Sequence, residues 1–265
     1  MICSNSCVIA SGKGGTGKSS LASALGVVMA RSGRRACIVD MDMGQRSADI
    51  MLGLENNVIF DMSDAAMGIC RLKQALVSPY GMENLSLLAA SQVKDASTLD
   101  PGECLRVVNK LCIDNDFVLI DTPPGLGEGF RLACRMTKKA VMIVTPDAVS
   151  LRDAQRAMDV MRECGIDDFK LVINRVKPWQ TAIDYDLTPD AAGEWLGVEP
   201  LAVIHESDKP NPLIGNEAVA RIARALTDDE SIAWPAVKPG LSRRILDFIS
   251  KIGKRSKNAK DATTV

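Results

Sequence analysis

The stretch Gly12-Lys13-Gly14-Gly15-Thr16-Gly17-Lys18-Ser19 decides the fold of this chain of 265 residues. It fits the pattern GxxxxGK followed by Ser or Thr, it follows the apolar run Cys7–Ala10, and it leads into the helical pattern Lys18–Arg31. A strand, a glycine-rich turn and a helix in this order bind phosphate, because glycines let backbone N–H groups surround phosphate oxygens and the helix N-terminus adds positive potential. Residues 12–19, called the P-loop below, therefore predict a nucleotide site.

The two lysines of the P-loop have different predicted roles, and both are predicted to be catalytic. Lys18 should reach the β- and γ-phosphates, and the Ser19 hydroxyl should ligate Mg²⁺. Lys13 lies too near the loop backbone to serve its own phosphates easily, so it could extend across a dimer interface and neutralise charge on the partner's nucleotide. The predicted nucleotide-binding residues of this segment are Gly12, Lys13, Gly14, Gly15, Thr16, Gly17, Lys18, Ser19 and Ser20.

Short apolar runs alternate with helical patterns along the chain. Strands that are apolar throughout and separated by helices are typical of a mostly parallel sheet buried on both faces. The sequence therefore predicts a doubly wound α/β domain with about seven or eight strands, helices on both faces, and its ligand at the carboxyl ends of the strands. The predicted strands are Cys7–Ala10, Ala36–Asp40, Leu85–Leu88, Phe117–Asp121, Ala140–Val144 and Lys170–Asn174, and the predicted helices are Lys18–Arg31, Gly102–Cys112 and Leu151–Cys164.

Composition and charge exclude several classes of function. Hydrophobic residues make up 46% and charged residues 25% of the chain, and no run of about 18 residues is free of charge, which excludes a multi-pass membrane protein. Aromatic residues are only 4%, which disfavours stacking surfaces for single-stranded nucleic acid. The net charge of −1 divides into −6 for residues 1–240 and +5 for residues 241–265. The acidic body is therefore not expected to bind DNA broadly, and the basic tail is the expected charged contact surface.

The eight cysteines are expected to be reduced, structural thiols. The chain opens without the charged and apolar regions of a signal peptide, and cytosolic chains keep their thiols reduced. Cys3 and Cys7 are spaced as metal ligands can be, but no second pair accompanies them. We therefore expect a cytoplasmic protein whose cysteines behave as small hydrophobic residues.

The sequence divides into four predicted segments. Residues 1–227 form the P-loop domain, 228–240 a linker, 241–253 an amphipathic helix, and 254–265 a polar tail expected to be disordered. One face of the predicted helix is apolar and its rim is basic, which is typical of a helix that binds an anionic membrane surface. The alternative is a terminal helix packed on its own domain. The predicted membrane-binding residues are Leu241, Ile245, Phe248, Ile249 and Ile252.

The segment KGGTGKS resembles the deviant Walker A motif of the MinD/ParA family of ATPases, and the segments that follow it are closest to the MinD branch of that family. Asp40–Glu55 resembles the switch region of the branch, with Ser47 where the family has Asn. The likeness extends from about residue 6 to residue 226, with a departure at His205-Glu206. The other matching segments are Ala89–Gln92, Asp121–Gly125 and Pro146–Asp153.

Acidic and amide side chains at the ends of predicted strands complete the predicted site. Asp121 follows a strongly apolar strand, which fits a Walker B aspartate near Mg²⁺; the alternative is a residue that caps the following turn. The resemblance implies that Asp42 orients or activates the attacking water. It also implies that Asn174, followed by Arg175, recognises the adenine base; the alternative for Asn174 is a turn residue. Asp40 is expected to support the water shell of the cation, so the predicted metal-site residues are Ser19, Asp40 and Asp121.

The resemblance implies a MinD-like ATPase that uses ATP and Mg²⁺, forms a homodimer with ATP and binds the inner face of the cell membrane. Such a protein helps to position the division septum by recruiting a MinC-like inhibitor, under a MinE-like or other polarity regulator, and no specific nucleic acid is expected as a partner. The alternatives are a flagellar-number ATPase of the FlhG type and a ParA-like chromosome-partitioning ATPase. An iron–sulfur carrier is disfavoured because Thr122–Gly127 contains no cysteine. A binding module without catalysis is disfavoured by the presence of Lys13, Asp42 and Asp121.

Overall fold

A computed structural model describes residues 2–177, 188–207, 213 and 215–227. The described residues form an eight-stranded sheet with helices on both faces. Its strands are β1 (Ser6–Ala10), β2 (Ala36–Asp40), β3 (Leu76–Val77), β4 (Leu85–Leu88), β5 (Phe117–Asp121), β6 (Lys139–Val144), β7 (Asp168–Val176) and β8 (Pro200–His205). The helices are α1 (Lys18–Arg31), α2 (Ala48–Leu52), α3 (Met62–Ala66), α4 (Leu72–Ala75), α5 (Pro101–Asp114), α6 (Glu128–Cys134), α7 (Ala148–Glu163), α8 (Pro189–Leu196) and α9 (Glu217–Thr227).

The strand order β3-β4-β2-β5-β1-β6-β7-β8 is that of a doubly wound sheet. Neighbouring strands are parallel except for β3, which pairs antiparallel with β4 at one edge. The chain moves outward from β1 to β2 and β4, and after β5 it crosses to the other side of β1. β1 therefore lies beside the position where the direction of winding reverses, which is where open α/β sheets bind their ligands. The predicted fold class is confirmed.

The core consists of two layers, one on each face of the sheet. Alternate residues of β5 enter different layers: Val118 packs with α5 and α7, whereas Leu119 packs with α1 and α9. This alternation is the two-residue period of a strand. Both residues are fully buried, and each such side chain contributes about 1.5–3 kcal/mol to stability relative to exposure. The buried apolar strands therefore form a closely packed framework for the loops at their carboxyl ends.

Helix ends are set by local sequence. Asp100 caps α5 by accepting the Glu103 N–H at 2.8 Å, and Pro101 occupies the first helical position, where no N–H is needed. Asp147 caps α7 in the same way through the Ser150 N–H. These caps explain why α5 and α7 begin one and three residues before their predicted starts.

All eight cysteines lie in the described part of the chain and are free thiols. Burial raises the pKa of Cys37 to about 12 and that of Cys104 to about 11, which keeps both thiols protonated and unreactive. Within the described ranges, no group of three or more His, Cys, Asp or Glu side chains is arranged to hold a metal ion. These observations support structural roles for the buried thiols.

None of the described helices has the length and apolar character needed to cross a bilayer. The predicted linker 228–240, the predicted amphipathic helix with Leu241, Ile245, Phe248, Ile249 and Ile252, and the predicted tail 254–265 lie outside the described residues. Their roles stay predictions.

Candidate nucleotide-binding site

The P-loop joins β1 to α1 at the carboxyl edge of the sheet. Asp40 and Asp121 end β2 and β5, and the two residues are register partners in that pair of parallel strands. The switch loop, residues 41–47, follows β2 directly. The sheet therefore brings the P-loop, both strand-end aspartates and the switch loop to one edge.

Two P-loop glycines are required by close packing. A Cβ atom at Gly12 would lie 2.1 Å from the carbonyl carbon of Asp153, so the backbone of α7 packs directly against the loop. Gly17 has a φ of 102°, in the left-handed region, and its Cβ would lie 2.7 Å from Nδ2 of Asn174. A side chain at Gly12 would have to displace the backbone of α7, and one at Gly17 would strain its own backbone and displace the Asn174 side chain.

Lys18 is buried at the start of α1. Burial lowers the pKa of its ammonium, and the charges of Asp121 and Asp42 act in the opposite direction. The lysine is thus held, partly dehydrated, among acidic groups on the floor of the site. Phosphate oxygens would supply the additional negative charge that such an ammonium favours.

Asp121 is the side chain whose surroundings best fit a bound cation. Its side chain is fully buried, and neither carboxylate oxygen accepts a hydrogen bond from any described residue. Burial and the nearby charge of Asp40 raise its pKa well above the usual range, against the smaller effects of Ser19 and Lys18. A buried carboxylate without a partner beside the Ser19 hydroxyl fits Mg²⁺, which prefers oxygen ligands and retains several waters. With nucleotide phosphates, Ser19 and Asp121 can therefore hold this cation.

Asp40 accepts hydrogen bonds from the backbone on both sides of the switch loop. Its Oδ1 accepts the N–H of Asp42 at 2.8 Å, and its Oδ2 accepts the N–H of Ala48 at 3.1 Å. Both oxygens thus brace the two ends of the switch loop. Burial raises the pKa of Asp40 to about 6, against the two hydrogen bonds from backbone N–H groups. The predicted contact of Asp40 with the water shell of the cation stays a prediction.

The switch loop contains two contacts that sequence reasoning missed. Arg46 has a φ of 46° and pairs through Nε with Oδ2 of the buried Asp49 at 2.6 Å. Ser47 donates its hydroxyl hydrogen to Oγ of Ser19 at 2.8 Å, which links the loop to the P-loop. A non-glycine residue in the left-handed region costs free energy that the surrounding contacts must offset. Neither contact has a spacing signal in the sequence, because both depend on how the loop folds back.

The side chain of Lys13 lies at the protein surface beside α7. Its side chain is 46% exposed, and Nζ lies 3.7 Å from Oδ1 of Asp147. Asp147 also accepts the Thr145 hydroxyl at 2.6 Å, so it is held rigidly at the N-terminus of α7. The Lys13 ammonium is thus available at the surface, as a residue acting in trans would need to be. Gly14 and Gly15 beside it are exposed, and Ser20 contacts Met51.

Asn174 is buried against the P-loop. Its Nδ2 donates to the carbonyl of Thr16 at 2.8 Å, and its Oδ1 accepts the N–H of Arg175 at 3.0 Å. Arg175 is exposed and has a φ of 60°. In this arrangement Asn174 supports the P-loop backbone, and recognition of a base by Asn174 or Arg175 stays a prediction. Nδ1 of His205 lies 3.3 Å from the carbonyl oxygen of Val176.

Comparisons with known proteins agree with this geometry. A family model for ParA, described as an NUBPL iron-transfer P-loop NTPase, matches residues 3–177. The chain is 32% identical to the septum site-determining protein MinD of Thermotoga maritima over 94% of this chain and 98% of that protein.

Two solved structures have the same fold. The MinC:MinD cell division complex of Aquifex aeolicus superposes with a TM-score of 0.76 at 27% identity, covering 85% of this chain and 96% of that one. MinD of Pyrococcus horikoshii, complexed with Mg-ADP, superposes with a TM-score of 0.69 at 25% identity, covering 98% and 99%. With its P-loop at the reversal of the sheet and relatives that match over nearly their whole length, the chain belongs to the ParA family of P-loop NTPases.

Proposed function

We propose that this chain is a MinD-like ATPase that forms a homodimer around two ATP molecules and helps to place the division septum. The observation that carries the proposal is the separation of the two lysines: Lys18 is buried in its own site, whereas Lys13 is held at the surface by Asp147. A surface lysine inside a P-loop has no use for its own nucleotide and suits a partner's nucleotide.

The chain's own groups divide the work of ATP hydrolysis. Backbone N–H groups of the P-loop and the Lys18 ammonium bind the β- and γ-phosphates. Ser19 and Asp121 would hold Mg²⁺, which would supply charge neutralisation at the phosphates. Asp42 is only 8% exposed and lies near Lys18, where its carboxylate can orient the attacking water. Lys13 of the partner protomer then neutralises charge that develops on the γ-phosphate.

The cellular role is proposed from the relatives. The Aquifex aeolicus structure is of a complex of MinC with MinD, so a MinC-like division inhibitor is the partner that we propose for this chain. We further propose that residues 241–253 attach the ATP-bound dimer to the inner face of the cell membrane, and that a MinE-like or other polarity regulator stimulates hydrolysis. ATP-dependent dimerisation would then control where the inhibitor gathers.

Iron transfer is a weaker candidate, although the matching family model carries that description. The segment after Asp121, Thr122–Gly127, contains no cysteine. The five most buried thiols are distributed over separate strands and helices, and burial raises the pKa of each of them: Cys7, Cys37, Cys104, Cys112 and Cys134. Thiols in that environment are poor metal ligands, because the thiolate is the form that binds metal.

The test compares the natural chain with Asp42→Ala and Lys18→Ala, using light scattering after gel filtration and phosphate release. The natural chain should be monomeric with ADP, dimeric with ATP and slowly hydrolytic. Asp42→Ala should bind ATP, remain dimeric and lose hydrolysis by about 100-fold or more, because water orientation typically contributes that much. Lys18→Ala should bind no nucleotide.

Two outcomes would contradict the proposal. A strictly monomeric Asp42→Ala variant in saturating ATP would exclude the dimer with two nucleotides at its interface. Equal phosphate release by the natural chain and by Lys18→Ala would show that the P-loop is not the hydrolytic site.

A further inference from the structure

The hydroxyl of Ser47 occupies an unusual place for a residue in a switch loop. Its Oγ lies 2.8 Å from Oγ of Ser19, the hydroxyl that would ligate Mg²⁺. Ser47 directly precedes α2, yet its side chain caps no backbone N–H of that helix. Ser at such a position usually serves as a cap. Here the contact with Ser19 is instead the only side-chain hydrogen bond seen for Ser47 within the described residues.

A hydroxyl that ligates a cation must present a lone pair to it. The Ser19 oxygen has two lone pairs and one hydrogen. If Ser47 donates to one lone pair, the second lone pair faces the cation and the hydrogen needs an acceptor. Asp121 can serve as that acceptor, because Ser19 lies beside it and neither of its buried oxygens has another hydrogen-bond partner among the described residues. Ser47 thereby fixes the rotation of the Ser19 hydroxyl in the orientation that a cation requires.

We propose that Ser47 is a positioning residue for Mg²⁺: it orients Ser19 toward the cation and so couples cation binding to the switch loop. This inference rests on the proposed function. The coupling follows from the chain of contacts, since Ser47 is followed by Ala48, whose N–H is held by Oδ2 of Asp40 at 3.1 Å. A movement of Ser19 on cation binding is therefore transmitted to the loop that carries Asp42.

The experiment measures ADP binding to the full chain by calorimetry, first in EDTA and then across a titration of MgCl₂. Ser47→Ala should leave ADP affinity in EDTA within about twofold of the natural chain. It should weaken the apparent Mg²⁺ affinity about tenfold, the equivalent of about 1.4 kcal/mol and thus of one hydrogen bond. Ser47→Thr keeps the hydroxyl and should restore Mg²⁺ affinity. Ser97→Ala, which removes an exposed hydroxyl far along the chain, is the matched control.

Several results would overturn the inference. One is an apparent Mg²⁺ affinity of Ser47→Ala equal to that of the natural chain. Another is a loss of ADP affinity in EDTA as large as the loss in Mg²⁺, which would indicate a merely structural role. If Ser47→Ala fails to fold by circular dichroism, Ser47→Cys replaces it, since a thiol is a weaker donor of similar size. If the natural chain shows no Mg²⁺-dependent ADP binding, the proposed function fails together with the inference. If it does show such binding and Ser47→Ala matches it, only the inference fails.

Discussion

A carboxylate without a partner is costly inside a protein, and Asp121 is such a group. The ammonium of Lys18 lies near Asp121 and Asp42, and a third carboxylate, Asp40, lies near Asp121. Asp40 and Asp121 are both fully buried. A bound divalent cation would neutralise the excess negative charge of these carboxylates. The nucleotide-free chain therefore bears a free-energy cost for a site that is prepared for Mg²⁺.

Asp121→Asn should raise the stability of the nucleotide-free chain while it weakens Mg²⁺–nucleotide binding. Removing one buried charge should increase the free energy of unfolding at pH 7, because burial and the nearby charge of Asp40 disfavour the ionised form of Asp121. Urea denaturation without nucleotide measures the gain, and calorimetry with Mg²⁺ and ADP measures the loss. Asp167→Asn, at an exposed aspartate, is the control. A less stable Asp121→Asn variant would contradict the account of this site.

The same groups predict how stability depends on pH. A carboxyl whose pKa is raised in the folded state binds its proton more readily when folded, so folding is favoured as pH falls through the raised pKa. For Asp40 the pKa is raised to about 6, so the stability of the nucleotide-free chain should rise between about pH 6 and pH 4 from this group. Asp121 acts in the same direction, and its contribution should disappear in Asp121→Asn.

At the scale of elements, the N-terminus of α7 is joined to the P-loop by two contacts. The backbone at Asp153 packs against Gly12, and the capping residue Asp147 pairs with Lys13 at 3.7 Å. The ion pair is exposed, so it contributes about 0–1 kcal/mol. It is strong enough to hold the lysine at the surface and weak enough to release it to a partner protomer.

Asp147→Asn tests whether this ion pair restrains Lys13. Asparagine keeps an oxygen that can accept the Ser150 N–H, so the cap and the melting temperature should be nearly unchanged. Loss of the charge should free Lys13 and strengthen ATP-dependent dimerisation by up to about fivefold, the equivalent of about 1 kcal/mol. Analytical ultracentrifugation with ATP and the Asp42→Ala background measures the dimer. Weaker dimerisation would show that Asp147 contributes to the interface itself.

The sequence predicted the elements that carry the site because their signals are local. The apolar runs of β1, β2 and β5 and the P-loop pattern depend on adjacent residues, and the structure confirms each of them. β3 was missed because two residues carry no periodicity, and its strand conformation depends on pairing with β4. The sequence analysis also did not predict β8 or six of the helices, namely α2, α3, α4, α6, α8 and α9.

The contacts of the site were harder to predict than its residues. Sequence motifs identify Ser19, Lys18 and Asp121. The hydrogen bond from Ser47 to Ser19, in contrast, depends on a turn that brings residues 28 positions apart into contact. Asn174 shows the same limit: the sequence predicted base recognition or a turn, and the hydrogen bond from its amide to the carbonyl of Thr16 was not foreseen. Tertiary hydrogen bonds of this kind have no periodic signal in the sequence.

At the scale of the whole molecule, charge and apolar surface are divided between the body and the terminal residues. The sequence of residues 241–253, which lies outside the described part of the chain, has five apolar side chains on one helical face. Burying them at a membrane would contribute about 10 kcal/mol and the basic rim about 3–4 kcal/mol, while ordering about 12 residues costs on the order of 12–15 kcal/mol. The free energies for one such helix nearly cancel, so firm binding would require the two helices of the proposed ATP-bound dimer.

Phe248→Glu should therefore abolish ATP-dependent binding to anionic vesicles while leaving ATP-dependent dimerisation intact. The substitution removes the apolar side chain at the centre of the face, worth about 2–3 kcal/mol, and adds a repelled charge, so binding should fall by at least about tenfold. Ser250→Glu adds the same charge on the opposite side of the predicted helix and should retain most of the binding. Co-sedimentation with ATP and with ADP measures both variants. Equal sedimentation of the natural chain in the two nucleotides would show that dimerisation does not control the membrane, and an equal loss in both variants would assign the interaction to net charge.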